Sequence, residues 1–139
     1  IFTEEEDMVL TPTYHVYDLF QVHQDATLLP ISLKTDAYLF EDESIPALNA
    51  SASVDGDGNI HISIVNVDLH DQADLTIDVR GSQVSDVTGR IIASDEINDH
   101  NTFDDPEVIT PGTFDGARIK KGVVTARIPA KSVVVLEVK

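Results

Sequence analysis

A strict alternation of apolar and polar residues runs through the second half of this chain and limits the folds open to it. Leu48–Val54 reads LNASASV, with an apolar side chain at every second position, and Ile60, Ile62 and Ile64 repeat the pattern after the turn DGDGN. A period of two gives a strand one dry face, and Asp-Gly turns join antiparallel strands. These segments predict a β-hairpin. The phase then moves to Val65, which predicts a β-bulge near Ile64.

Similar short segments follow at even spacing, among them ADLTIDVR, GVVTARI and SVVVLEV. The last two are joined by PAK and predict a second hairpin. Eight or nine strands without a second helix predict an all-β fold, an antiparallel β-sandwich of jelly-roll type. The alternation predicts these core residues: Leu48, Ala50, Ala52, Ile60, Ile62, Ile64, Leu75, Ile77, Val79, Val124, Ala126, Ile128, Val134, Leu136 and Val138.

One α-helix is predicted ahead of the strands, in TPTYHVYDLFQVHQDA. Thr11 is a suitable N-cap, and Pro12 fits the first helical position. The apolar positions fall on one helical face, widened by Tyr17: Val16, Leu19, Phe20 and His23. A helix this short is marginal in water. We therefore expect Thr11–Gln24 to be helical where that face is covered, either by the sandwich or by a second copy in a homo-oligomer.

The charge balance excludes several classes of partner. The chain carries 25 acidic and 9 basic residues, a formal charge of −16. Such a surface repels nucleic acid and anionic membranes.

No cysteine is present, so disulfides and thiolate sites are excluded. No signal peptide is visible and Ile1 is not a recognisable start, so we expect a piece of a longer protein and leave the compartment open between cytoplasmic, periplasmic and secreted.

No catalytic, substrate-binding, metal or cofactor site is predicted from the residues. VDGDGN has the opening spacing of a calcium loop, but Ile60 replaces its glycine and Asn66 its bidentate glutamate, so a hairpin turn is favoured. His61 alternates with isoleucines and is predicted to face water. The five histidines lack helical zinc spacing, and the acidic run Glu4–Asp7 is interpreted as a solvated loop rather than a glycosidase carboxylate pair.

Two sequence blocks resemble a known family. MVLTPTYHVYDLFQVHQDATLLP is similar to the end of the catalytic barrel in α-L-arabinofuranosidases of glycoside hydrolase family 51. HNTFDDPEVI (His100–Ile109) and IPAKSVVVLEV resemble the C-terminal end of the same family. Together the two blocks frame nearly the whole chain in the order that the family has.

The resemblance implies a domain division and a role. Residues 1–25 would be the end of a (β/α)8 barrel including its last helix, and residues 26–139 the C-terminal β-sandwich. Family members are retaining, exo-acting enzymes that remove terminal α-L-arabinofuranosyl groups from polysaccharides of hemicellulose and pectin. Their two catalytic glutamates lie on the barrel, outside this chain, so no catalytic residue is transferred. A short segment from the start of the family's full chain also completes the sandwich.

Two functions therefore remain open. The first is a non-catalytic C-terminal domain that braces the barrel, with the polysaccharide reached only through the parent enzyme. The alternative is a free-standing polysaccharide- or protein-binding module. The helix favours the first, because an independent module has no use for Thr11–Gln24, and the small number of aromatic residues disfavours the second. The role of the His100–Ile109 loop is left open.

Overall fold

The computed structural model describes residues 1–139 and contains thirteen strands, one α-helix and one 3-10 turn. The helix α1 spans Pro12–Phe20 and is followed by the 3-10 turn Gln21–His23. Neither helical segment has the length and apolarity needed to span a membrane. The strands are β1 (Phe2–Glu4), β2 (Asp7–Val9), β3 (Thr27–Leu29), β4 (Ala37–Phe40), β5 (Glu43–Pro46), β6 (Leu48–Val54), β7 (Ile60–Asn66), β8 (Ala73–Ile77), β9 (Val87–Ala93), β10 (Gly112–Thr113), β11 (Ala117–Lys120), β12 (Val123–Ile128) and β13 (Ser132–Val138).

Two antiparallel sheets form the sandwich that the alternation predicts. One has six strands in the order β10-β9-β13-β7-β6-β3, and the other has three in the order β11-β12-β8. Eleven buried apolar residues form the core between them: Leu48, Ala52, Ile62, Ile64, Phe114, Val124, Ala126, Ile128, Val134, Leu136 and Val138. Every core residue predicted from the sequence belongs to this cluster or packs against it, so that prediction is confirmed.

The predicted second hairpin is wrong. Strand β12 pairs with β11 and β8, whereas β13 lies in the other sheet between β7 and β9. The link Pro129–Lys131 therefore carries the chain across the core from one sheet to the other. The inward faces of both strands are as predicted, because alternation determines which face of a strand is dry but not which strand it pairs with. The six inward residues are Val124, Ala126, Ile128, Val134, Leu136 and Val138.

The predicted β-bulge near Ile64 is also wrong. Strands β6 and β7 pair without interruption from Leu48–Asn66 to Val54–Ile60. The change of phase instead marks the end of β7, where Asn66 takes a core-side position. Its Nδ2 donates to the carbonyl oxygens of Asp71 (3.0 Å) and Pro129 (2.9 Å), which supplies the partners that a buried amide requires.

Helix α1 packs on the outer face of the six-stranded sheet, away from the main core. The Thr11 Oγ accepts a hydrogen bond from Tyr14 N (3.2 Å), which confirms the predicted N-cap. Leu19 is 1% exposed and forms a second cluster with Ile92, Ile109 and Val135. The apolar face is thus covered by the chain's own sandwich, one of the two covers expected. The barrel assignment of residues 1–25 stays a prediction.

Tyr17, predicted to widen the apolar stripe of α1, faces solvent instead. Tyr17 is 75% exposed, whereas His15 is 8% exposed. Two positions along a helix correspond to a rotation of about 200°, so Tyr17 cannot share a narrow contact face with Leu19. The contact stripe is Val16, Leu19 and Phe20, continued by His23 of the 3-10 turn.

Candidate functional site

Polar side chains gather where the 3-10 turn Gln21–His23 lies on the outer face of β6 and β7. Ser53 comes from β6, and His61 and Ser63 come from β7. Their inward neighbours fill the main core, so these three residues point outward by strand alternation. The turn covers them, and His61 is only 5% exposed. The prediction that His61 faces water is wrong, because the sequence pattern gives the face of the strand but not what covers it.

His23 bridges two strands from this turn. Its Nδ1 lies 2.6 Å from the Ser53 Oγ, and its Nε2 is hydrogen-bonded to the Ser63 hydroxyl. The Phe20 ring meets the imidazole edge-on at a centroid distance of 6.0 Å. Burial, and secondarily the charge of the nearby His61, lowers the pKa of His23 below its ordinary value of 6.5. The neutral ring suits the site, since it donates through one nitrogen and accepts through the other.

Asp55 holds the adjoining turn and His61 together. Its carboxylate accepts hydrogen bonds from His61 Nε2 (2.9 Å) and from the backbone N–H groups of Asp57 and Asn59 (2.9 Å each). The hydrogen bond from His61 is the largest cause that holds the pKa of Asp55 far below its usual range. The Asp55 carboxylate oxygens, which a calcium loop would use as ligands, thus accept hydrogen bonds within the turn and from His61. VDGDGN forms the hairpin turn that the sequence favoured. His61 Nδ1 is buried without a hydrogen-bond partner.

The other titratable residues weighed in the sequence lie apart. His70 and His100 are exposed, His15 is a buried residue of α1, and Glu4–Asp7 form the exposed tip of the β1–β2 hairpin. No group of three or more His, Asp or Glu side chains is placed to share a metal ion. The arrangement around His23 offers hydrogen bonding and packing, and the absence of a catalytic residue from this chain stays a prediction.

The loop His100–Ile109 fastens the helix to the sandwich. Asn101 is 3% exposed, and its Nδ2 donates to the carbonyl oxygens of Leu10 (2.7 Å) and Ile109 (2.9 Å). Its Oδ1 accepts from Ile109 N (2.7 Å). These bonds place Ile109 against Leu19 and close the second cluster. The sequence singled out this loop but not Asn101, because an asparagine in a polar segment carries no local signal of burial.

A cavity of about 460 Å³ opens beside β8. Four aspartates lie along it, Asp36, Asp68, Asp71 and Asp74, and its lining contains no aromatic ring. The Asp68 carboxylate accepts hydrogen bonds from the N–H groups of His70 and Asp71, and these bonds lower its pKa. A sugar ring usually requires a flat apolar surface as well as polar groups, so this acidic cavity lacks the features of a polysaccharide subsite.

The β4–β5 hairpin is an uncovered, apolar part of the surface. It pairs with neither main sheet, and its turn Glu41–Asp42 leads into exposed apolar side chains on both faces. Leu39 is 68% exposed, Phe40 63% and Ile45 50%. A two-stranded hairpin is marginal by itself in water, and clustered exposed apolar side chains mark contact surfaces.

Comparison with known proteins places these features in a family. The sequence profile of the alpha-L-arabinofuranosidase C-terminal domain matches residues 1–132. An intracellular exo-alpha-L-arabinofuranosidase of Bacteroides ovatus is 39% identical over 140 residues, which cover 100% of this chain and 27% of the relative. The chain thus spans about a quarter of the length of the curated relative it matches.

Solved structures agree with this match. The family 51 arabinofuranosidase of Xanthomonas axonopodis pv. citri superposes with a TM-score of 0.96 at 37% identity, over 99% of this chain and 28% of that one. The arabinofuranosidase of Thermotoga petrophila, at 24% identity, shares the fold with a TM-score of 0.79 over 99% of this chain and 31% of that one.

Proposed function

The chain belongs to the alpha-L-arabinofuranosidase C-terminal domain family, and we propose that it is a non-catalytic brace for the catalytic barrel of its parent enzyme. The parent would be a retaining, exo-acting α-L-arabinofuranosidase acting on arabinose-containing polysaccharides of hemicellulose and pectin. Substrate would be bound by the barrel alone. The sandwich would supply a folded, acidic, soluble body with a large core of its own.

The observation that best supports this proposal is the exposed apolar surface of the β4–β5 hairpin. Leu39 and Phe40 neighbour each other in β4, and Ile45 opposes Tyr38 across the hairpin. Burial of one such side chain stabilises a contact by about 1.5–3 kcal/mol relative to exposure. No segment within residues 1–139 provides that cover. A barrel in the same polypeptide would be held beside the sandwich at high effective concentration, so a modest apolar contact is enough to dock the two.

Phe40→Ala, made both in this chain and in the full-length parent, tests the brace. In the isolated chain Phe40 is already in water, so we expect unchanged stability within about 0.5 kcal/mol. In the parent, the loss of the contact should lower the melting temperature of the barrel. Ser44→Ala is the matched control, because it lies on the same hairpin and removes no apolar side chain. Equal melting of the Phe40→Ala and Ser44→Ala parents would refute the role of the hairpin.

The three-stranded sheet offers a second place for the parent to contribute. Strand β8 forms one edge of that sheet and faces six strands across the core. We propose that a short segment from the start of the parent chain completes the sandwich at an open sheet edge, since unpaired edges recruit strands. A synthetic peptide of that segment should raise the melting temperature of this chain, and a scrambled peptide should not.

A further inference from the structure

One titratable side chain holds the end of the helical segment on the sheet. His23 reaches from the 3-10 turn into a position where Ser53 and Ser63 are 4% and 2% exposed. Each ring nitrogen contacts one serine hydroxyl, so the side chain ties the turn to two neighbouring strands at once. The α1 helix immediately precedes this turn. The position of its C-terminal end therefore depends on the contact.

The surroundings of His23 contain no carboxylate paired with it. The charge of His61, from β7, acts on His23, and the Asp55 carboxylate is hydrogen-bonded to His61 rather than to His23. Glu137 of β13 opposes His61 across the strands and pairs with Lys139 Nζ (2.6 Å). Ser53 from β6 and Phe20 from α1 are uncharged. A proton added to His23 thus creates a partly buried charge that no neighbouring anion directly balances.

We propose that His23 is a pH-dependent latch for the helical segment. The neutral ring fastens the Gln21–His23 turn and the end of α1 to the outer face of the six-stranded sheet. The protonated ring is better solvated than buried, so the latch opens as the solution becomes acidic. The main core between the two sheets lies on the other face of β6 and β7 and stays closed.

The pH range follows from the direction of the pKa shift. Burial and His61 lower the pKa of the docked ring, whereas the released ring returns to its ordinary value of 6.5. The docked state therefore binds fewer protons between these two values. Its extra stability is fully present above about pH 6.5 and is lost as the pH falls through the lowered pKa. Asp55 does not contribute in this pH range, because its carboxyl, whose ordinary pKa is 3.8, changes the stability only below about that pH.

The test follows the His23 ring and the α1 backbone amides by NMR from about pH 7.5 to about pH 5, where histidines change charge. His23→Gln keeps hydrogen-bonding capacity but does not titrate. His100→Gln is the control, because His100 is exposed and its ring is hydrogen-bonded to the Asn98 carbonyl oxygen rather than to the sheet. In the wild type and in His100→Gln, we expect protonation of His23 to coincide with loss of exchange protection in α1, while β13 stays protected. His23→Gln should lose this pH dependence.

Two results would overturn the latch. One is protonation of His23 with the α1 amides unchanged. The other is the same acid-induced release in His23→Gln as in the wild type. If His23→Gln does not fold, the wild-type titration alone decides, because it compares the ring and the helix in one sample. The measurement needs no barrel, so its outcome is independent of the proposed brace.

Discussion

Truncation of Leu19 to alanine tests whether α1 is a working part of this domain. Leu19 is 1% exposed and packs against Ile92, Ile109 and Val135 on the outer face of the sheet. The change removes three carbon atoms, and at about 0.8 kcal/mol for each the transfer term alone is about 2.4 kcal/mol. A residual cavity adds to this cost, but a surface helix can shift to close part of it. We expect a loss of about 2–4 kcal/mol.

Tyr17→Ala is the matched control on the same helix. Tyr17 is 75% exposed, so its truncation should change the free energy of unfolding by no more than about 0.5 kcal/mol. Urea denaturation followed by circular dichroism gives both values. If the helix undocks before the sandwich unfolds, Leu19→Ala will lose the helical signal at lower urea than the sheet signal. Equal stabilities of Leu19→Ala and Tyr17→Ala would refute the claim that α1 is held by this cluster.

Three further predictions concern single positions. Asn101→Ala removes three hydrogen bonds and leaves Ile109 N–H buried without its partner, so urea denaturation should show a loss of about 1–3 kcal/mol. Gly116→Ala should lower the melting temperature, because its Cβ would lie 2.5 Å from the Phe114 ring and 2.8 Å from a backbone oxygen, whereas Gly112→Ala should not. Asp55→Asn should reduce the loss of stability on acidification below about pH 3.8, measured by thermal melts, because the stabilisation from the lowered pKa of Asp55 is complete above that pH and is lost as the pH falls toward the lowered pKa.

The sequence predicted the strands and their inward faces well because those features are local. Leu136 and Ile64 each stand at alternating positions, and alternation alone determines their side of the sheet. Strand partners are not local. The link Pro129–Lys131 has the length of a hairpin turn, yet it crosses between sheets, and no short-range pattern distinguishes the two outcomes.

Covered polar residues were the harder part to predict. His61 occupies an outward position in an alternating strand, as a solvent-facing residue would, yet it is 5% exposed and lies near His23 of the 3-10 turn. Asn101 is likewise buried by segments distant in sequence. In both cases the decisive contact joins residues far apart along the chain. The cluster around His23 was therefore visible only once the fold placed the turn on the sheet.

The measurement that tests the central claim most directly is hydrolysis of 4-nitrophenyl α-L-arabinofuranoside. The purified 139-residue chain would be compared with its full-length parent and with a mock preparation. A glycosidase needs two carboxyl groups held across one sugar, and the four aspartates along the cavity beside β8 stand there without an aromatic platform. The account predicts turnover by the parent and none above the mock preparation by the chain. Turnover by the chain alone would contradict it.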